Sequence, residues 1–205
     1  MNNHDRITRL LTYKNVLVQF QNIGLIKVFS DNIGDALNIS SSLVRKDFAY
    51  FGISGSQKGG YDIESILQRI DTILGKDKIQ KVIIIGIGRL GSALLHHQHV
   101  FNREGVKITA GFDTDTEKQD PENTIPILPI QELSEHIVKH KIKFAIVTVP
   151  ESAARHIIDV LKAEKVKGIL NFTSLKIKNT DTTLIHNVNI EHELTRLIYT
   201  ATRRH

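Results

Sequence analysis

Residues 82–95 read VIIIGIGRLGSALL: four β-branched residues, then glycines at positions 86, 88 and 91, then an alanine- and leucine-rich run. The β-branched run is the length of a buried strand, and the run after Gly91 reads as a helix. A strand that passes through three spaced glycines into a helix fits few folds. Gly86 permits a tight turn, Gly88 lets a phosphate approach the backbone, and Gly91 lets the helix lie against the strand. The helix N-terminus adds a positive dipole. A second strand, VKITAGF, ends at Asp113, 22 residues beyond Gly91, where a carboxylate is placed to take the hydroxyls of an adenosine ribose. Such a carboxylate repels a 2′-phosphate, and Thr114 and Asp115 after it offer no arginine to receive one. The loop Gly86, Ile87, Gly88, Arg89, Leu90 and Gly91, with Asp113, is therefore a candidate site for NAD(H) in preference to NADP(H).

The remainder alternates in the same sense. A helix near 130–140, strand 142–149, helix 151–164 and strand 166–172 predict a doubly wound parallel α/β sheet. Ligands of such sheets lie beyond the carboxyl ends of strands, so Val149, Pro150, Asn171, Phe172 and Thr173 are expected along the cleft.

The first 75 residues have a different rhythm. Ile7, Leu10, Leu11, Leu17 and Phe20 mark an amphipathic helix from Arg6 to Phe20, closed by Gly24. A second helix, expected to be capped by Ser30, runs from about Asp31 to Leu37. Asn38, Ile39 and Ser40 then turn into a third, in which Val44, Phe48 and Phe51 face a core. That leaves Ser41, Ser42, Arg45 and Lys46 toward solvent: short residues for close approach to a DNA groove and bases for phosphates or guanine edges. FGISGSQKGGYDI, residues 51–63, reads as a hairpin wing carrying Lys58, with Tyr50 and Tyr61 at its borders. A helix over 62–74 closes this winged helix-turn-helix module, with Ser40, Ser41, Ser42, Arg45, Lys46, Tyr50, Lys58 and Tyr61 as candidate DNA contacts. Residues 1–58 hold seven Lys or Arg against four Asp, so the position of the charges argues for DNA more than their excess does.

Composition narrows the rest. The chain has no cysteine, which excludes disulfides and thiolate ligands. Clustered His96, His97 and His99, and the i, i+4 pair His136 and His140, lack an acidic third ligand, so no metal is expected. The N-terminus has no hydrophobic run of a signal peptide and no segment reaches bilayer length, so a cytoplasmic protein without membrane contact is expected. The last stretch, Glu191 to Arg204, puts Leu194, Leu197, Ile198 and Ala201 on one stripe, with Arg196, Arg203 and Arg204 outside it. The stripe packs on its own domain or on a second subunit. Only about thirty residues follow the sheet, too few for a separate substrate domain. A small NAD-dependent oxidoreductase is therefore the weaker alternative and no catalytic residue is assigned. A nucleotide-binding regulator without DNA binding is the other.

Taken together, RLLTYKNVL, SSSLVRKDFAYFG, GGYDI, GIGRLGSALL, GFDTDTEK, TVPESAA and VKGILNF stand in the order and spacing of the Rex family of bacterial redox-sensing transcriptional repressors, which the chain resembles over nearly its whole length. The resemblance implies a winged-helix domain over 1–75, a Rossmann NAD(H)-binding domain over 76–190, and a helix over 191–205 swapped between subunits. The implied partners are double-stranded operator DNA with inverted repeats, NADH or NAD+, and a second copy in a homodimer released from DNA by NADH. Four departures cluster at positions that in the family lie near the nicotinamide or the domain interface. Asn15 replaces a usual arginine; Asn189 and Ile190 replace an aspartate with a hydrophobic neighbour; His97 replaces a tyrosine; and Thr173 with Ser174 replaces Ala-Pro. Gln57 and Lys58 also depart in the wing. Altered discrimination between NADH and NAD+ is the expectation that follows.

Overall fold

A computed structural model describes residues 3–56, 59–76 and 78–203. Backbone contacts divide the chain into two units, 1–77 and 78–205.

In the first unit α1 (Asn3–Asn22) is followed by β1 (Lys27–Val28), α2 (Ser30–Leu37), α3 (Ser41–Tyr50), β2 (Tyr61–Asp62) and α4 (Ile63–Ile73). Leu10, Tyr13 and Leu17 from α1, Ile33 from α2, Val44 and Phe48 from α3, and Ile63, Ile66 and Ile70 from α4 are almost wholly buried together. Each such side chain contributes about 1.5 to 3 kcal/mol of transfer free energy, and the i, i+3, i+4 spacing on α4 is what brings three of them to one side. Gly34 makes the crossing of α2 and α3 possible, since a Cβ there would lie 2.8 Å from the Ile39 carbonyl oxygen.

Two local expectations are corrected. Ser30 does not cap α2: it is the first helical residue, buried, with its hydroxyl accepting from Arg45 Nη1 at 2.9 Å. Phe29 precedes the helix, and its backbone N–H donates to the Asn32 side chain at 2.9 Å, so the cap comes from inside the helix. Among the described residues no two strands pair with each other within 51–63. Tyr61 and Asp62 pair instead with Val28 and Lys27, and the wing itself is closed by one bridge between Ser56 and Gly60. A two-residue strand such as β1 is too short for any periodicity to announce it.

The second unit is a parallel sheet in the order β5-β4-β3-β6-β7-β8 among the described residues. Its elements are β3 (Gln80–Ile85), α5 (Arg89–His96), α6 (Gln98–Arg103), β4 (Val106–Asp113), β5 (Ile127–Pro129), α7 (Leu133–His140), β6 (Phe144–Val147), α8 (Glu151–Ala163), β7 (Gly168–Asn171), β8 (Leu184–Asn187) and α9 (Ile190–Thr202). Alternation along the strands, interrupted in β4 by a register shift between Ile108 and Ala110, sends Ile83, Ile85, Ala110, Phe112, Ala145 and Val147 to one face. There they meet Leu133 and Ile137 of α7 and Ile157, Ile158 and Leu161 of α8. Val82, Ile84, Ile108 and Ile146 go to the other face, with Leu94, Leu95 and Phe101 packed against them. The sheet reverses its order between β3 and β6, which opens a crevice at their carboxyl ends.

Candidate functional site

Gly86 follows β3 with φ +93°, and a Cβ on it would lie 2.9 Å from the Thr148 carbonyl. Only glycine holds that left-handed conformation so close to another strand without strain. The turn is fastened from the neighbouring strand end, where Thr148 Oγ1 donates to the Gly86 carbonyl at 2.6 Å. A Cβ on Gly91 would collide with the same carbonyl oxygen, whereas one on Gly88 would meet nothing within 4 Å. Two of the glycines thus serve the fold, and the third keeps space open in front of the N-terminus of α5, where first-turn N–H groups lack helical partners.

Asp113 ends β4 with its carboxylate almost buried. Its Oδ2 accepts the Ile87 N–H at 2.7 Å and its Oδ1 the Asp115 N–H at 2.9 Å. The carboxylate therefore shapes the glycine loop, and each oxygen keeps a lone pair for a ribose hydroxyl. Lys118, which the sequence reading passed over, lies with its Nζ 3.2 Å from Asp115 Oδ2 and 3.7 Å from Asp113 Oδ2. Asp115 raises the Lys118 pKa and is itself held low by that ammonium. These residues with Ile85, Phe112, Ile130, Thr148, Val149, Pro150, Ala153 and Ile157 line a cleft of about 470 Å³. The lining joins the charged Asp113, Asp115 and Lys118 to the apolar Ile130, Val149, Ala153 and Ile157.

Beyond β7 and β8, Leu90, Phe172, Thr173, Ser174, Val188, Asn189, Ile190 and Glu191 line a second cavity of about 180 Å³. Asn171 stands at the strand end as expected, but its side chain turns inward and has no exposure. Its Nδ2 donates to the Leu175 carbonyl and Asn187 Oδ1, and its Oδ1 accepts from the Thr173 N–H and hydroxyl. Asn171 is a clamp on the loop that carries Phe172 to Ser174, and the cavity wall is the loop itself. Asn189 Oδ1 accepts the His192 N–H at 2.8 Å and caps α9. His97 is exposed at the break between α5 and α6, Asn15 is exposed on α1, and Arg89 is exposed in the first turn of α5.

In the first unit Ser40 caps α3 through its Oγ, which accepts the Leu43 N–H at 3.2 Å. Ser40, Ser42 and Lys46 are exposed, while Ser41 is half-buried against Gly34. Arg45 is exposed but tethered, donating to Ser30 and lying 3.9 Å from Asp31. The ring of Tyr61 is turned to the core, edge-on to Phe48 at 5.0 Å, and Arg6 lies over the Tyr50 ring at 4.0 Å. Lys58 falls outside the described residues. Asp47, on the opposite side of α3, has no exposure: Arg9 Nε and Nη2 reach its two oxygens at 2.6 and 2.7 Å, and Tyr13 donates at 2.8 Å. An acidic residue in a basic helix was visible in the sequence, but its partners 34 and 38 residues away were not.

Two family models match, one described as "Putative DNA-binding protein N-terminus" over residues 6–49 and one as a CoA binding domain over 77–175. A redox-sensing transcriptional repressor Rex of Lactiplantibacillus plantarum is 37% identical over 174 residues, 84% of this chain and 77% of the relative. The chain belongs to the Rex family. The Rex of Oenococcus oeni is 32% identical over 197 residues, 93% of this chain and 89% of its own. Among solved structures, the Rex-family repressor RSP in complex with NAD+ and operator DNA superposes with a TM-score of 0.92 at 25% identity, covering 98% of this chain and 93% of RSP. RSP in complex with NADH superposes with a TM-score of 0.85, covering 98% and 94%.

Among the described residues no helix is long and apolar enough to cross a membrane, and no group of three or more His, Asp or Glu is placed to hold a metal ion.

Proposed function

We propose that this Rex-family chain is a homodimeric, cytoplasmic transcriptional repressor that binds inverted-repeat operator DNA and is released by NADH, with no turnover of the nucleotide. The reading rests on one combination: a serine-capped basic helix in the first unit, and in the second an open glycine loop backed by Asp113. The first unit is the DNA-binding head, contacting the duplex through Ser40, Ser42, Arg45 and Lys46. The second is the dinucleotide-binding body, and α9 is the segment exchanged between subunits.

In the cleft, Gly86 to Gly91 and the first turn of α5 hold the pyrophosphate, Asp113 takes the ribose, and the apolar wall of Ile130, Ala153 and Ile157 receives the adenine. The nicotinamide half reaches the second cavity, whose wall includes the departing residues Thr173, Ser174, Asn189 and Ile190. Bound nucleotide shifts the dimer between two arrangements only by the difference in its affinity for them. With the usual charged residues replaced by Asn15 and Asn189, that difference for NADH over NAD+ is smaller here.

Operator fragments bearing an inverted repeat, titrated with the chain in the presence of either nucleotide, test the reading. Release at lower NADH than NAD+ concentration is the expected result. Retention of DNA at saturating NADH overturns it, and oxidation of NADH with an added carbonyl substrate would favour an oxidoreductase instead.

A further inference from the structure

Two loops meet at the far end of the dinucleotide cleft. Glu151 opens α8 directly after Pro150, and Pro150 with Val149 lines the first cavity. Ser174, in the wall of the second cavity, donates its hydroxyl to Glu151 Oε2. Asn171 pins the loop that carries Ser174 through both ends of its side chain. A carboxylate that directly follows the lining of the first cavity in sequence is therefore tied to a residue in the lining of the second, by a hydroxyl whose own loop is clamped. Glu191 adds a second carboxylate to the lining of the second cavity, which includes no Lys or Arg. The basic residue next to that wall in sequence is Arg89, in the first turn of α5 beside the phosphate space.

We propose that Glu151, tethered by Ser174, sets the preference between the oxidised and reduced dinucleotide by placing a negative charge beside the nicotinamide. The inference rests on the reading of the cleft given above and assigns its redox selectivity to named atoms. The two forms of the ligand have nearly the same shape, and their chief difference is one positive charge on the oxidised ring. A carboxylate fixed near that ring attracts the cationic nicotinamide of NAD+ and gains nothing from the neutral dihydronicotinamide of NADH. A hydrogen bond from Ser174 restrains the exposed carboxylate to one position, so that its charge is not spread over the arc its side chain could sweep. The tether needs a hydroxyl at position 174, and that is one of the positions at which the chain departs from the family pattern. It acts opposite to a sensor built for NADH, so the nucleotide ratio at which DNA is released is displaced toward more reduced conditions.

The test is direct titration of the full chain with NAD+ and with NADH at low salt, comparing wild type with Glu151→Gln. The amide keeps an acceptor for Ser174 and removes only the charge. The ratio of the two dissociation constants moves toward NADH by about two- to fivefold, the size set by one solvent-exposed charge, and the shift shrinks at 0.5 M salt, about 4 Å of Debye screening. Ser174→Ala, which keeps the charge but releases it, moves the ratio the same way by less. Glu135→Gln on α7 leaves it unchanged. An unaltered ratio in Glu151→Gln, with both nucleotides still bound, overturns the inference and spares the reading of the cleft. A wild-type chain that binds neither nucleotide overturns both.

Discussion

Asp47 shows how one side chain can determine where α3 lies. It follows Arg45 and Lys46 directly in sequence on α3, yet is fully buried against α1 by Arg9 and Tyr13. Burial alone would raise its pKa, but the hydrogen bonds from Arg9 and Tyr13 outweigh it, so the carboxyl lies below its ordinary 3.8. A depressed carboxylate stabilises the fold above the unfolded pKa, and that stabilisation is lost as pH falls through the folded value. Stability measured by urea should hold down to about pH 4 and fall steeply below it. Asp47→Ala should flatten that acid limb and cost about 2 to 3 kcal/mol near neutrality, because Arg9 and Tyr13 lose their shared acceptor. The glycines separate in the same manner. Gly91→Ala meets the Gly86 carbonyl, so a loss of about 2 kcal/mol in stability is expected together with loss of nucleotide binding. Gly88→Ala meets nothing in the free chain. Its melting temperature should match wild type while NADH affinity drops about tenfold or more, since the new methyl fills the phosphate space.

At the scale of elements, α3 divides its labour by face. Val44, Asp47 and Phe48 look inward, and Ser42, Arg45 and Lys46 outward. Arg45 is tied to the start of α2 and so joins the two helices of the motif while remaining exposed. Among the described residues Lys46 has no such tether, and its side chain is exposed to solvent. Lys46→Ala should reduce the slope of log affinity against log salt by about 1, roughly equally on operator and unrelated DNA. A specific loss confined to operator would show that Lys46 reads a base instead. The final helix poses the complementary case. α9 buries none of its residues, and Ile190, Leu194, Leu197, Ile198 and Tyr199 are each more than half exposed. Its stripe was legible from spacing alone; that it stays more than half exposed among the described residues was not, because periodicity says that a face is apolar and not what lies on it.

For the whole molecule, an apolar stripe of that size left in water favours a second copy. Sedimentation of a chain ending at residue 189 should give a monomer, and its operator affinity should fall by about tenfold or more, since two linked heads bind two half-sites with an avidity that one head lacks. An unchanged dimer would place the interface elsewhere. The sequence by itself determined the helix-turn-helix, the strand, glycine loop and helix, the acidic end of the next strand and the parallel α/β class, because those depend on local spacing and on backbone freedom at single residues. Tertiary structure decided what long-range contact alone can: that Asp113 props up the glycine loop through Ile87, that Lys118 returns to the acidic end of the cleft, that Asn171 turns inward as a clamp, and that Tyr61 is used for packing. It also supplied β1, β5 and β8, strands too short or too polar to be periodic, which exist because a neighbouring strand offers its backbone hydrogen bonds. Spacing along a chain reports which face a residue takes; what that face meets is fixed only when distant segments come together.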